Sequence, residues 1–183
     1  MDAFVSVFLY LCDMKGLILK ILPLLMLAVS CSVKMDPYKG GTGVRANING
    51  CKAVMYGEPT KKYAAYTIDP VYESYSFSTV RLPLTSNEIG KECQLEITVS
   101  TRSALIPGRP YRVGNGEGTA HLYLNDATQR ILLSGEVTFL KEGPVNGVTE
   151  ARFELSGKDV NHNVFEVRHG FLRLHTTKYE IQQ

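Results

Sequence analysis

Tryptophan is absent from the 183 residues, cysteine occurs only 4 times, and neither sign of charge prevails, with 20 Lys plus Arg against 18 Asp plus Glu. A net charge of +2 gives no polyelectrolyte footprint, so nucleic acid is excluded as an expected partner. Without tryptophan, aromatic recognition has to rest on tyrosine. No Gly-x-Ser-x-Gly elbow, Cys-x-x-Cys pair or His-Glu-x-x-His helix occurs, so the common hydrolase, redox and metalloprotease signatures are missing. No stretch repeats with a convincing helical period of 3.6. Disorder is excluded too, because the chain is neither highly charged nor poor in aliphatic residues.

What is present begins with an address. Lys15 and Lys20 precede the apolar run Ile21–Val29, which ends in Ser30-Cys31. A basic segment, a short apolar segment and small residues before a cut describe a secretory signal peptide over residues 1–30. The run falls short of the ~20 apolar residues that span a bilayer, and Pro23 interrupts it. Residues 1–13 fit poorly as its basic start, which makes Met14 the expected initiator. Leu27-Ala28-Val29-Ser30-Cys31 resembles a bacterial lipobox, which implies that Cys31 is lipidated and becomes the mature N-terminus. Residues 31–43, rich in Gly, Pro and charge without apolar period, read as a tether. Lys15 and Lys20 cancel Asp2 and Asp13, so removing the leader leaves the charge at +2.

From Val44 to the end, apolar residues alternate with period two, which predicts one all-β domain over 44–183. Val44, Ala46 and Ile48 lead into Asn49-Gly50, a type I′ hairpin turn that pairs them with Met55, Ala53 and Cys51. Further strands are expected at 93–99, 119–124, 130–140, 148–156 and 164–174, with weaker ones near 62–68, 73–82 and 110–114. An antiparallel meander of nine or ten strands follows, closing as a β-sandwich or a small β-barrel. Pairing numbers to a sum near 288 sets Gly135 against Phe153 and Glu136 against Arg152. Phe165 and Val167 differ in parity from Leu172 and Leu174, which predicts a bulge at His169-Gly170.

Candidate site residues are few. Cys51 and Cys93 both fall on inward faces, and an oxidising envelope permits a disulfide closing about 42 residues, worth roughly 4 kcal/mol; two separate buried thiols are the other reading. Asp159, Asn161 and Asn163 imitate the start of a calcium loop, yet Val164 and Gly170 stand where Gly and Glu are required, so a hairpin turn is expected. His169 and His175 lie roughly 20 Å apart along an extended strand, too far to share a metal. Tyr56, Tyr63, Tyr66, Tyr72 and Tyr75 crowd one stretch and form a candidate binding surface, set against plain sheet packing. No catalytic residue, metal site or cofactor is expected.

The lipobox, Ile48-Asn49-Gly50, Pro107-Gly108-Arg109-Pro110-Tyr111, Ser134-Gly135-Glu136-Val137-Thr138, Ala151-Arg152-Phe153-Glu154-Leu155 and Val167-Arg168-His169-Gly170-Phe171 together resemble a family of Bacteroidota cell-envelope lipoproteins of unassigned function. The resemblance covers most of residues 44–175. It implies an all-β domain at the outer membrane, on its periplasmic or surface face, and brings no catalytic residues. The functional expectation is a monomeric, non-catalytic lipoprotein, held to the membrane by its N-terminal lipid and binding a glycan or an envelope protein. A barrel carrying a small apolar ligand and an envelope hydrolase without a recognisable motif are the other two readings.

Overall fold

The computed structural model describes residues 41–85, 93–124 and 128–182, and among them all regular structure is strand. The expected signal segment, Cys31 and the expected tether up to residue 40 lie outside the described residues. Eleven strands follow in chain order: β1 (Gly43–Ile48), β2 (Cys51–Tyr56), β3 (Ala64–Asp69), β4 (Ser74–Thr79), β5 (Leu82–Leu84), β6 (Cys93–Thr101), β7 (Pro110–Val113), β8 (Gly118–Leu124), β9 (Gln129–Phe139), β10 (Val148–Lys158) and β11 (Val164–Glu180). The expected alternation decides their faces: Leu95, Ile97 and Val99 are buried on β6, and Ile131, Leu133, Val137 and Phe139 on β9.

The first hairpin has the expected register, with Ile48 opposite Cys51, Ala46 opposite Ala53 and Val44 opposite Met55. Asn49 takes the left-handed conformation the turn requires, at φ 50°. Its side chain also ties the turn to β11, accepting from the Glu166 N–H at 2.8 Å and donating to the Val164 carbonyl at 3.3 Å. The turn residue thus closes the hairpin and extends the ladder by one rung.

All strands belong to one sheet, in the order β10-β9-β8-β6-β4-β3-β11-β1-β2, and a β10–β11 pairing joins its first strand to its seventh. The hydrogen-bonded path therefore closes on itself, as in a barrel, but its wall is split. β11 meets β1 along Val167–Arg173 and β3 along Thr176–Glu180. β6 likewise meets β5 at Cys93–Leu95 and β4 at Thr98–Thr101, and a Val54–Thr85 bridge links β2 to the residue after β5. At the β6 fork the Ile97 N–H has lost its strand partner and donates to the Thr79 hydroxyl at 3.0 Å. A buried donor left unpaired there would cost about 1–3 kcal/mol. Nine of the eleven strands pair only antiparallel neighbours; the β3–β11 pair is parallel, a departure from a pure meander.

The register of β9 and β10 differs from expectation by two residues. Gly135 faces Leu155, Phe153 faces Val137, and Glu136 faces Glu154 rather than Arg152. The β11 bulge is present, since Phe153 pairs with Gly170 but Leu155 with Val167. The left-handed residue in it is His169, at φ 53°, and not the glycine. Gly170 serves a different need: any Cβ there would fall within the Phe153 ring.

Candidate functional site

The interior of the described residues is packed with aromatic rings. Phe77, Phe139, Tyr111 and Phe153 are at most 2% exposed and fill it, with Phe139 edge-on to Phe77 at 5.2 Å and to Tyr111 at 5.8 Å. Aromatic side chains of this volume close the space that an apolar ligand would need.

The five tyrosines do not share a surface. Tyr63 and Tyr66 are buried: Tyr66 shares the inward face of β3 with Ala64, and Tyr63, just before the strand, is held by its N–H to the His175 carbonyl. The Tyr63 hydroxyl accepts from the Glu58 N–H at 3.2 Å, and burial pushes the Tyr66 hydroxyl pKa up. Tyr75 packs against the core while partly covered. Tyr56 is exposed on β2, and Tyr72 is exposed in the β3–β4 turn. The crowding was a property of the sequence segment, which runs through three strands, β2, β3 and β4, and their connections.

Cys51 and Cys93 are free thiols. Val54 bridges Thr85 and Leu84 pairs with Cys93, so Cys93 lies level with Met55, two strands away from Cys51 and four residues out of step. An offset on the order of 13 Å along the strand direction exceeds what a disulfide can span. Burial pushes the Cys93 thiol up to about 11, and its Sγ donates to the Leu84 carbonyl at 3.8 Å.

The Asp159–Asn163 segment is the expected turn. Asp159 accepts from the Asn161 and Asn163 N–H groups at 2.9 and 2.8 Å and from the Asn163 amide at 2.9 Å. The Asn163 amide is the largest influence holding its carboxyl below the ordinary range. With its oxygens spent on the turn, the carboxylate has little left for a cation. Among the described residues no three His, Cys, Asp or Glu side chains are placed to hold a metal.

Two polar constellations emerge that strand parity alone could not assemble. The first lies on the outer faces of β6, β8 and β9. Glu96 sits opposite His121, and Tyr123 opposite Arg130. Tyr123 donates to Glu96 at 2.7 Å, Arg130 meets His121 Nε2 at 2.6 Å, and Arg81 stacks on the Tyr123 ring at 4.1 Å. Arginine can only donate, so Nε2 accepts and the imidazole is neutral. Burial first and the Arg130 charge second hold His121 below the usual imidazole range, with Glu96 opposing. The unfolded chain therefore binds this proton more readily. Stability is fully present above about pH 6.5 and declines as pH falls below it toward the folded value. The thermal midpoint of the wild type should drop more between about pH 7.5 and about pH 5 than that of His121→Gln. Equal drops would remove His121 from the acid response.

The second is an open depression of about 500 Å³ where β4 and β6 meet the β7–β8 turn. Its wall carries Ser74, Ser100, Thr101 and Ser103 hydroxyls, with Arg102, Arg109 and Glu117 around them. Glu117 pairs with Arg109 and accepts from the Arg112 N–H at 3.1 Å, and the Arg109 guanidinium lies 4.8 Å over Tyr111. Tyr72 sits two residues before Ser74 in a turn pinned by Asp69, whose Oδ1 accepts from the Val71 and Tyr72 N–H groups at 3.0 and 3.2 Å. Tyr72 is 79% exposed and Val71 58%, an apolar tip on a fixed turn. Of the lining residues the sequence drew attention only to Arg109, within the Pro107–Tyr111 motif, while Tyr72 stands two residues outside the lining in the chain. The lining is spread over residues 74–117, and only the β4–β6 pairing brings Ser74 to Thr101's end of the sheet. Family models, curated proteins and solved structures, when compared with this chain, yield no match.

Proposed function

We propose that this protein is a non-catalytic cell-envelope lipoprotein whose β domain binds a polyhydroxylated ligand of the glycan class in the depression between β4, β6 and the β7–β8 turn. The observation that carries this reading is the lining: four hydroxyl side chains and two guanidinium groups, with the exposed Tyr72 two residues before Ser74 in the chain. Hydroxyls and arginines exchange directional hydrogen bonds with sugar oxygens, and a tyrosine ring stacks on a sugar face. The filled interior counts against an apolar carrier. His121 Nε2 is taken up by Arg130 and the neighbouring Glu96 accepts from the Tyr123 hydroxyl, which counts against a general base poised for hydrolysis.

The lipobox-like Leu27–Cys31 segment supports an anchored, outer-membrane location with Cys31 as the attachment point. Two experiments test the two halves. Neutral and uronate-containing oligosaccharides should bind the full chain, and Tyr72→Ala or Arg102→Ala should each weaken the best of them by roughly tenfold, or about 1.4 kcal/mol. Absence of binding across the panel, or variants that bind like the wild type, would overturn the site. Labelled fatty acid should enter the wild type but not Cys31→Ala; incorporation into both would overturn the anchor.

A further inference from the structure

A separate depression, of about 210 Å³, lies on the outer face where β11 bulges, lined by Arg45, Ala46, Asn47, Lys52 and His169. Asn47 sits directly opposite Lys52, and the β1–β11 register slips between Arg45 and Asn47. The extra residue of the bulge brings His169 to that slip. Two permanent cations and an amide thus meet an imidazole, and no carboxylate is part of the lining.

His169 is the informative residue. Its φ of 53° is left-handed, which costs a residue with a Cβ of order 1 kcal/mol more than glycine. The bulge is held through its backbone, whose N–H donates to Glu154 Oε1 at 2.7 Å, a bond glycine would make equally well. The ring contributes little to folding: its side chain is 82% exposed, with Nδ1 3.7 Å from the same carboxylate. A strained position occupied by a side chain without a packing role points to work done by that side chain. Of the neighbouring acids, Glu166 is paired with Arg168 at 3.1 Å, while Glu154 stays at His169, its Oε1 accepting from the backbone N–H.

We infer that this depression is a phosphate-ester site. Arg45 and Lys52 supply the charge, while the His169 ring and the Asn47 amide supply directional donors. The group could arrive on a lipid headgroup or on a soluble ester, and the same chemistry serves both.

The test titrates the full chain with inorganic phosphate, at ionic strength matched with chloride, while following backbone amide resonances. Saturable shifts confined to residues 45–47, 52 and 169 are expected, with a dissociation constant on the order of 1 mM. Lys52→Ala should weaken binding about tenfold. His169→Gly should weaken it severalfold while leaving the thermal midpoint unchanged or higher. Tyr72→Ala should leave phosphate binding alone, which keeps this site distinct from the glycan depression. Phosphate shifts no larger than those of chloride would overturn the inference, as would a His169→Gly variant that melts lower yet binds phosphate normally. Sedimentation with phosphatidylglycerol vesicles, but not with phosphatidylcholine vesicles, identifies the headgroup source when Lys52→Ala abolishes it; phosphate binding without sedimentation identifies a soluble ester.

Discussion

Phe139→Ala is expected to lower unfolding free energy by about 3–5 kcal/mol, a large share of the roughly 5–15 kcal/mol that stabilises a domain. The ring is fully buried and stands edge-on to both Phe77 and Tyr111. Each such pair adds about 0.5–1.5 kcal/mol beyond area burial. Its cross-strand partner on β10 is Ala151, too small a side chain to fill the void. The cost should therefore sit in the upper part of the range. Leu132→Ala, seven residues earlier on the same strand, removes a side chain that is 53% exposed and should change stability by no more than about 0.5 kcal/mol. Urea unfolding of both variants checks the contrast. Similar midpoints for the two would show that β9 is not oriented as described.

Gly170→Ala should be nearly as damaging, at about 3 kcal/mol, although glycine to alanine in a strand ordinarily gains about 0.5–1 kcal/mol. The sign reverses because the new methyl would overlap the Phe153 ring carbons Cδ2, Cε2 and Cγ. That ring is only 2% exposed and has nowhere to retreat. Coupling tests the cause. In a Phe153→Ala background the obstacle is gone, and Gly170→Ala should become neutral or stabilising. Additive losses in the double variant would mean that the backbone conformation, not the ring, demands glycine at 170. The neighbouring His169 behaves oppositely, since glycine there relieves strain.

The contrast at 169 and 170 shows how much was legible beforehand. A change of parity between Val167 and Leu172 announces a bulge, because buried side chains must all face inward. Nothing in that parity says which residue becomes left-handed or which one needs room. The same holds for β9 and β10. A pairing sum of 288 and the observed 290 differ by two, and a shift of two preserves every face. The hydrophobic pattern was therefore blind to the error, while Glu136, Arg152 and Gly135 all changed partners.

The candidate sites follow the same logic. Tyr56 to Tyr75 are neighbours in sequence, but two strands with inward and outward faces separate Tyr63 and Tyr66 from Tyr72. The disulfide reading asked only that Cys51 and Cys93 face inward, which they do; it required a level along the sheet that β5 sets four residues away. The His121–Arg130 and Tyr123–Glu96 contacts needed two registers at once, β6 with β8 and β8 with β9.

Period-two alternation and an Asn-Gly turn are local physics, and so the all-β class, the inward faces and the first hairpin follow from the amino acids in order. Sheet closure is not local. β11 is flanked by β10 on one side and by β1 and then β3 on the other, and the contacts with β1 and β3 join residues more than 100 positions apart. Their register rests on how Phe139, Phe153, Phe77 and Tyr111 pack together, an energy that no stretch of chain carries alone. Both polar depressions sit where that packing forks or bulges the wall. Their residues came together only through it.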